Sequence, residues 1–498
     1  MVKAMIDFGE WLPDQQAIAS PLQVAKNVIP SAVGYSAVKN LGSFSLAGDS
    51  RIQGLFSKKD STGSVELYAG DAGKLYRFNA SNSQLDDVSK SGGYSLGTDQ
   101  YWNFCVFGNK IIVAGDTSQR LQFIESGGTA FADLSATAPQ ARYVAVVRDF
   151  VVTGYSGGES RVTWSAINDE TSWTAGTSQS DFQDIPDQGH VKGLVGGEYG
   201  IIFMDNAIVR MTYVGSPLIF QFDTVETERG LAFEGAYASL SPSEIFYLAE
   251  DGFYFWNGQQ SIPIGAEKVN RFFYDDLKIS NADRITASID PTRSIVAWGY
   301  PTGDGNPDRI LFYNYAVQRW SFAEVTHDML GSFQTPAYTL EALDNVNSSI
   351  DDLTFSLDSR AFRGGQFVFG GAKDNAIAFF TEGVSLPAQL VLGEKEFATG
   401  RLTNINRIYP YFDGGTITVT LKSRNTMANG IDSSGVNLIA IEDPFTDGTA
   451  GSLNNEGFIP TRSNGRFHTI QFDIDNAFNG AFEKISGYEL DIQVLGRR

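Results

Sequence analysis

The chain has 498 residues, with 37 Lys+Arg against 58 Asp+Glu, a formal net charge of −21 at pH 7, and a single cysteine, Cys105. One thiol excludes a disulfide framework, a CxxC redox pair and a cysteine-built zinc site, and it fits a reducing compartment. The acidic balance, with no Lys/Arg run longer than two residues, as at Lys58-Lys59, argues against a surface that grips nucleic acid or anionic lipid.

No apolar stretch approaches the roughly 18 residues of a membrane-spanning helix, and Met1 to Gly9 carries Asp7 without the apolar core of a signal peptide. The 52 Gly, 36 Phe and 20 Tyr, with charged residues at only 19%, suit many short strands joined by Gly-rich turns. Helical patterns are scarce outside 272–277 and parts of the N-terminal arm. The class is all-β.

Residues 1–41 hold Pro13, Pro21, Pro30 and Gly34, so they form neither one helix nor one strand. The segment reads as an extended N-terminal arm with a short helix over Ser20–Asn27, capped by Ser20 with Pro21 at the first helical position. Three strand types then recur in order through residues 42–386. The first, an alternating run, falls at 52–56, 104–107, 143–147, 191–195, 237–240 and 285–289. A more apolar second strand follows at 65–69, 111–114, 150–153, 201–204, 245–248 and 295–298. The third pairs an aliphatic with an aromatic residue, at 75–78, 121–123, 162–164, 208–213, 253–256 and 310–313. A period of roughly 40–50 residues with three or four strands per unit is the signature of a β-propeller. Six blades are predicted; 367–370 with 376–380 allows a seventh. Unrelated β-sandwiches would lack this ordered recurrence.

Thr339–Asp358 is polar and acidic and reads as a connection. Residues 387–498 change pattern, with longer alternating strands at 388–392, 405–412, 416–422, 466–472 and 488–494, and predict a β-sandwich-like domain.

Motifs that could carry chemistry are few. Gly154-Tyr155-Ser156-Gly157-Gly158 matches G-x-S-x-G, but lies between two strands instead of leading into a helix. Asp304, Asn306 and Asp308 imitate a calcium-loop opening, yet Arg309 stands where Gly is required and Tyr315 where the bidentate Glu belongs. His190, His327 and His468 are far apart and form no H-x-x-x-H pair. No nucleotide-cradling Gly loop occurs. The stretch from Ser165 to Trp173 is similar to the Asx-closed turn of sialidase blades without its Gly, and that turn is structural. No catalytic, cofactor-binding or metal residue is assigned, and no enzyme activity is expected.

Four places resemble the tail nozzle, or tail-hub, proteins of short-tailed bacteriophages and related prophages. They are Trp11-Leu12-Pro13-Asp14-Gln15 through Asn27-Val28-Ile29-Pro30 to Gly34-Tyr35, then Val162 to Asp169 with Ser172-Trp173. The third is Leu353 to Arg360 with Gly364-Gly365 and Phe379 to Gly383, and the fourth is Gly465 to His468 leading to Gly487 to Asp491.

The resemblance implies a structural virion protein, usually a homo-hexameric ring, in the tail and assembled in the host cytoplasm. It implies a head-to-tail adaptor ring above and tail fibres or needle and tip proteins as further partners. Double-stranded DNA would pass transiently without specific binding, while the ring helps retain and then release the genome. A charge of −21 suits such a sliding surface, since a few phosphate contacts would act as brakes.

A heterologous ring interface is expected on the arm and the terminal domain, and deleting Met1–Leu41 is expected to leave a folded monomer that cannot form rings. The competing readings are a carbohydrate-binding or glycan-cleaving propeller for host recognition, which predicts convergent carboxylates and arginines, and a scaffold propeller binding peptides across its top face.

Overall fold

Alternation along the strands dictates how the blades pack. In Gly200–Met204 every residue is buried, because odd and even positions face different neighbours. Ile201 and Phe203 pack with the blade that follows, around Tyr247 and Phe246, whereas Ile202 and Met204 pack with the blade before, around Val152 and Trp164. Ile295–Tyr300 behaves likewise, with Ile295 and Ala297 on one side and Val296 and Trp298 on the other. A strand covered on both faces cannot carry polar residues cheaply, which is why the second strand of each repeat is so apolar. Each such side chain contributes about 1.5–3 kcal/mol on burial.

The structure is a computed structural model that describes all residues except 1–4, 18, 60–62, 99, 337–364, 381–383, 426–449, 477–480 and 497–498. The connection expected over Thr339–Asp358 and the motif residues 353–364 and 381–383 fall outside the described residues.

Six blades are each built from four consecutive antiparallel strands, at 54–87, 103–133, 141–184, 191–227, 237–263 and 286–324. The seventh copy that the sequence allowed is also a four-stranded sheet, but a composite one. Met329–Gln334, Phe367–Lys373 and Ala376–Phe379 are completed by Gly42–Ser43 from the other end of the chain. The innermost strand Met329–Gln334 packs against both Thr286–Asp290 and Gly54–Lys59, which closes the ring. Phe44 fastens the closure, with its ring 4.5 Å from Phe379 and 5.0 Å from Phe78 in blade one.

The C-terminal residues form two facing sheets. One joins Ala388–Leu392, Phe467–Asp475, Thr416–Arg424 and Ala450–Ser452; the other joins Lys484–Val494, Thr403–Asp413 and Ile459–Gly465. Ile417, Val419, Leu421, Ile470, Phe472 and Ile474 point inward at every second position, as the alternation predicted.

The N-terminal segment is extended, but no helix forms over Ser20–Asn27. Leu22–Lys26 is a strand, antiparallel to Ala388–Leu392, and a parallel pairing of Lys26 with Phe322 joins the sandwich sheet to blade six. Tertiary pairing overrides the local capping signal, since Leu22 and Ala25 gain full burial only in a strand that touches both domains. Val28–Pro30 and Tyr35–Ala37 extend the other sheet, and Ile6–Asp7 pairs with Lys484–Val494.

Asn27 stands where the layers meet, at φ 58. Its backbone N–H donates to Phe322 O (2.7 Å), its amide nitrogen to Pro387 O (2.7 Å), and its Oδ1 accepts from Glu324 N (2.9 Å). Phe8 lies 5.3 Å from Phe472, and Trp11 lies 5.0 Å from Phe272. The expectation that Met1–Leu41 can be removed from a folded monomer is therefore corrected: Phe8, Trp11, Leu22, Val28 and Tyr35 are fully buried parts of the core.

Asn270–Asp276 is the only α-helix among the described residues, matching the sequence signal at 272–277. Asp14 caps it from far away in sequence, its carboxylate accepting the N–H groups of Arg271 (2.9 Å) and Phe272 (2.8 Å).

Candidate functional site at the hub

The innermost strands of a propeller begin on one face, and the residues just before them reach toward the axis. Here those residues meet. Tyr101 leads into blade two, and its hydroxyl donates to Asp283 O (3.0 Å), which leads into blade six. Arg51, ahead of blade one, donates through Nη2 to the Tyr101 hydroxyl (3.2 Å) and through Nη1 to Thr98 O (3.4 Å). Arg142 of blade three pairs with Glu234, ahead of blade five, at 2.9 Å. Blades two and six lie on opposite sides of the ring, so the Tyr101 bond spans its middle, whereas the Arg142–Glu234 pair reaches past blade four. Shorter links join adjacent blades: Asn103 Nδ2 donates to Arg142 O (3.1 Å), and Leu330 N donates to Thr286 Oγ1 (3.0 Å).

Beside Tyr101 and Glu234 lies a cavity of about 220 Å³, walled also by Tyr143, Tyr237, Asn103 and Ser239 among others. Burial pushes the phenols of Tyr101 and Tyr237 up to about 12. Burial, and then the charge of Glu234, holds Tyr143 far above its ordinary value. All three are neutral hydrogen-bonding groups at physiological pH.

From the hub a polar chain runs outward between blades three and four. The Arg142 guanidinium sits 5.2 Å from the Tyr155 ring centroid, and the Tyr155 hydroxyl donates to Glu159 Oε1 (2.9 Å). His190 Nε2 lies 2.8 Å from Glu159, and Lys192 pairs with Asp205 at 2.8 Å. Burial and the Glu159 bond raise the Tyr155 pKa, so this phenol is held protonated and is a poor nucleophile.

The residues singled out in the sequence lie elsewhere. Ser156 of G-x-S-x-G ends the strand Phe150–Ser156, is buried, and donates to Thr163 Oγ1 (2.7 Å); a strand follows, not a helix. Asp304, Asn306 and Asp308 diverge: Asp304 faces Lys278 (3.1 Å), Asn306 donates to Asp328 Oδ1 (2.9 Å), and Asp308 accepts from Thr302 N (2.8 Å) and Oγ1 (2.7 Å). His327 and His468 are buried apart from each other and from His190. His468 Nε2 lies 2.7 Å from Thr403 Oγ1. In the Ser165–Trp173 turn, Asp169 Oδ1 accepts from Thr171 N (3.0 Å) and Oγ1 (2.6 Å), and Trp173 packs in the core between blades two and three. No group of three or more His, Cys, Asp or Glu side chains could hold a metal ion among the described residues.

Sequence reasoning missed the hub residues. The available signal was the recurrence of Tyr, Arg or Glu immediately before or at the start of a first strand, at Arg51, Tyr101, Arg142 and Glu234.

No family model matches the chain, and no curated protein matches it. Among solved structures, a computationally designed protein, Ika8, aligns at a TM-score of 0.37 and 10% identity over 76% of this chain and 100% of its own. The WD40 domain of Neurospora crassa Pan2 aligns at 0.37 and 8% identity, over 59% and 89%. The β-propeller domain of Myceliophteria thermophila Cps50 (Swd1) aligns at 0.35 and 10% identity, over 65% and 100%. At these scores the assignment of a propeller rests on the chain's own sheet order and ring closure.

Proposed function

We propose that the protein is a structural ring subunit of the tail-nozzle kind, a component of a short-tailed phage tail without enzymatic activity. The observation that carries this reading is the order of parts along the chain: an N-terminal extended segment, a propeller, and a terminal β domain. That is the order expected from the resemblance at Trp11–Tyr35, Val162–Trp173 and Gly465–Asp491. The buried weld between propeller and sandwich supports it further, because a ring under load needs subunits whose parts do not swing.

The hub bears on where such a passage would lie. The Tyr101 side chain reaches across the middle of the propeller to Asp283 O at 3.0 Å, so a duplex would travel between subunits and not through a propeller. The charge of −21 supports a sliding surface around such a bore.

Mass photometry of the full chain at micromolar concentration tests the reading. Particles six times the 54.3 kDa chain are expected; monomers at every concentration contradict it.

A further inference from the structure

Blade four ends in a turn that its own packing leaves bare. The hairpin of Ala207–Gly215 and Ile219–Thr227 has nine residues in each strand, whereas the inner neighbour Gly200–Met204 pairs with it only as far as Met211. Tyr213 and Phe220 anchor the overhang on Phe150, at ring separations of 5.6 and 5.0 Å. Past this anchor the turn shows apolar groups to water, with Val214 47% and Leu218 71% exposed. Ile219 is held at φ 62, a left-handed conformation unfavourable for a β-branched side chain. Backbone strain of this kind concentrates at contacts and clamps.

A receiving surface lies elsewhere on the same chain. Between blades five and six is a groove of about 260 Å³ walled by Phe246, Phe255, Tyr313 and Tyr315, with Leu240 and Ile262 exposed on it. Phe246 lies 4.7 Å from Phe255 and 5.5 Å from Tyr315 between ring centroids, so the floor is set before anything docks. Leu218 is so exposed that it does not fill the groove of its own chain. The charges match as well. Arg148 lies over the Tyr213 ring at 5.0 Å, at the base of the turn, with exposed Glu198 at 3.4 Å as its ion-pair partner. Glu244 lines the groove, exposed, and its carboxylate has no partner among the described residues. An apolar knob and an apolar hollow at different places on one surface make a heterologous contact, which leaves one of each free for further copies.

We propose that the turn at 214–218 of one copy docks in the groove between blades five and six of the next, with Leu218 as the apolar anchor and Arg148 reaching Glu244. The proposal rests on the ring reading and supplies its subunit contact.

Cross-linking of the full chain with a short bis-maleimide tests it. Cys105 is buried, with its thiol pushed up to about 12, so the reagent meets only introduced thiols. Leu218→Cys mixed with Ile262→Cys should give covalent dimers, and neither variant alone should; both positions are exposed, so neither change disturbs the core. Adding Val214→Asp to the Leu218→Cys chain should cut the dimer yield about tenfold. A chain carrying both cysteines should give a ladder that ends at six copies. A ladder that runs past six upholds the contact and refutes the closed ring. Rings of the unaltered chain in mass photometry, without mixed dimers, overturn the contact and leave the ring reading standing. Monomers that never cross-link overturn both. Dimers formed by Leu218→Cys alone, or a yield that Val214→Asp leaves unchanged, also overturn the contact.

Discussion

His327 shows how much a single buried ring can reveal. It is fully buried, and its Nδ1 lies 2.8 Å from Val325 O. A carbonyl can only accept, so the proton sits on Nδ1 and leaves Nε2 bare and unpaired against Gly299. Burial lowers its pKa to about 4. Folded, the ring stays neutral down to that value; unfolded, it takes a proton near 6.5. The unfolded chain therefore binds more protons across this window, and stability falls as pH drops from 6.5 toward 4. Urea unfolding should show that His327→Gln narrows the stability difference between pH 7 and pH 5 by about 2 kcal/mol; an unchanged difference would refute the assignment. A Cβ at Gly299 would lie 2.0 Å from Nε2, so Gly299→Ala should cost about 1–3 kcal/mol in the same assay. Cys105 is the opposite case, a group made inert. Burial pushes its thiol up to about 12, and a thiol reagent at pH 8 should label it only after denaturation.

At the scale of elements, legibility followed burial. The second and third strands of each blade could be read from sequence because both faces of the blade are covered, as in Gly200–Met204. Fourth strands such as Asp181–Asp184 and Ala132–Asp133 could not, since they face water and carry no apolar pattern. Gly42–Ser43, which completes the seventh blade, is too short to signal anything, and its partners Ala378 and Phe379 lie at the other end of the propeller. The helix expected at Ser20–Asn27 failed because its apolar residues are shared between two sheets, which no local capping rule can register. The hub escaped detection for a related reason, as Tyr101 and Asp283 meet only once the ring has closed. Closure itself is testable. Phe44→Ala, which empties the seam between blades seven and one, should cost about 3–5 kcal/mol in denaturant unfolding. A loss below about 1 kcal/mol would mean that the seam holds without it.

On the scale of the whole molecule, propeller and sandwich share one continuous core that runs from Phe246 and Trp298 through Trp11 to Phe472 and Tyr488. Removing residues 1–41 should therefore yield aggregated or protease-sensitive protein, not a folded monomer; a soluble truncated chain with native circular dichroism would contradict this. The acidic surface should leave duplex DNA alone, and a fluorescent 30-bp duplex is expected to show no binding at micromolar protein in physiological salt. Electron microscopy of the full chain bears most directly on the central proposal, because it shows both assembly and the location of any passage. The account predicts closed rings whose open bore is bounded by several subunits, each with its own propeller axis blocked. Isolated propellers, or rings with a bore lined by lysines and arginines, would contradict it.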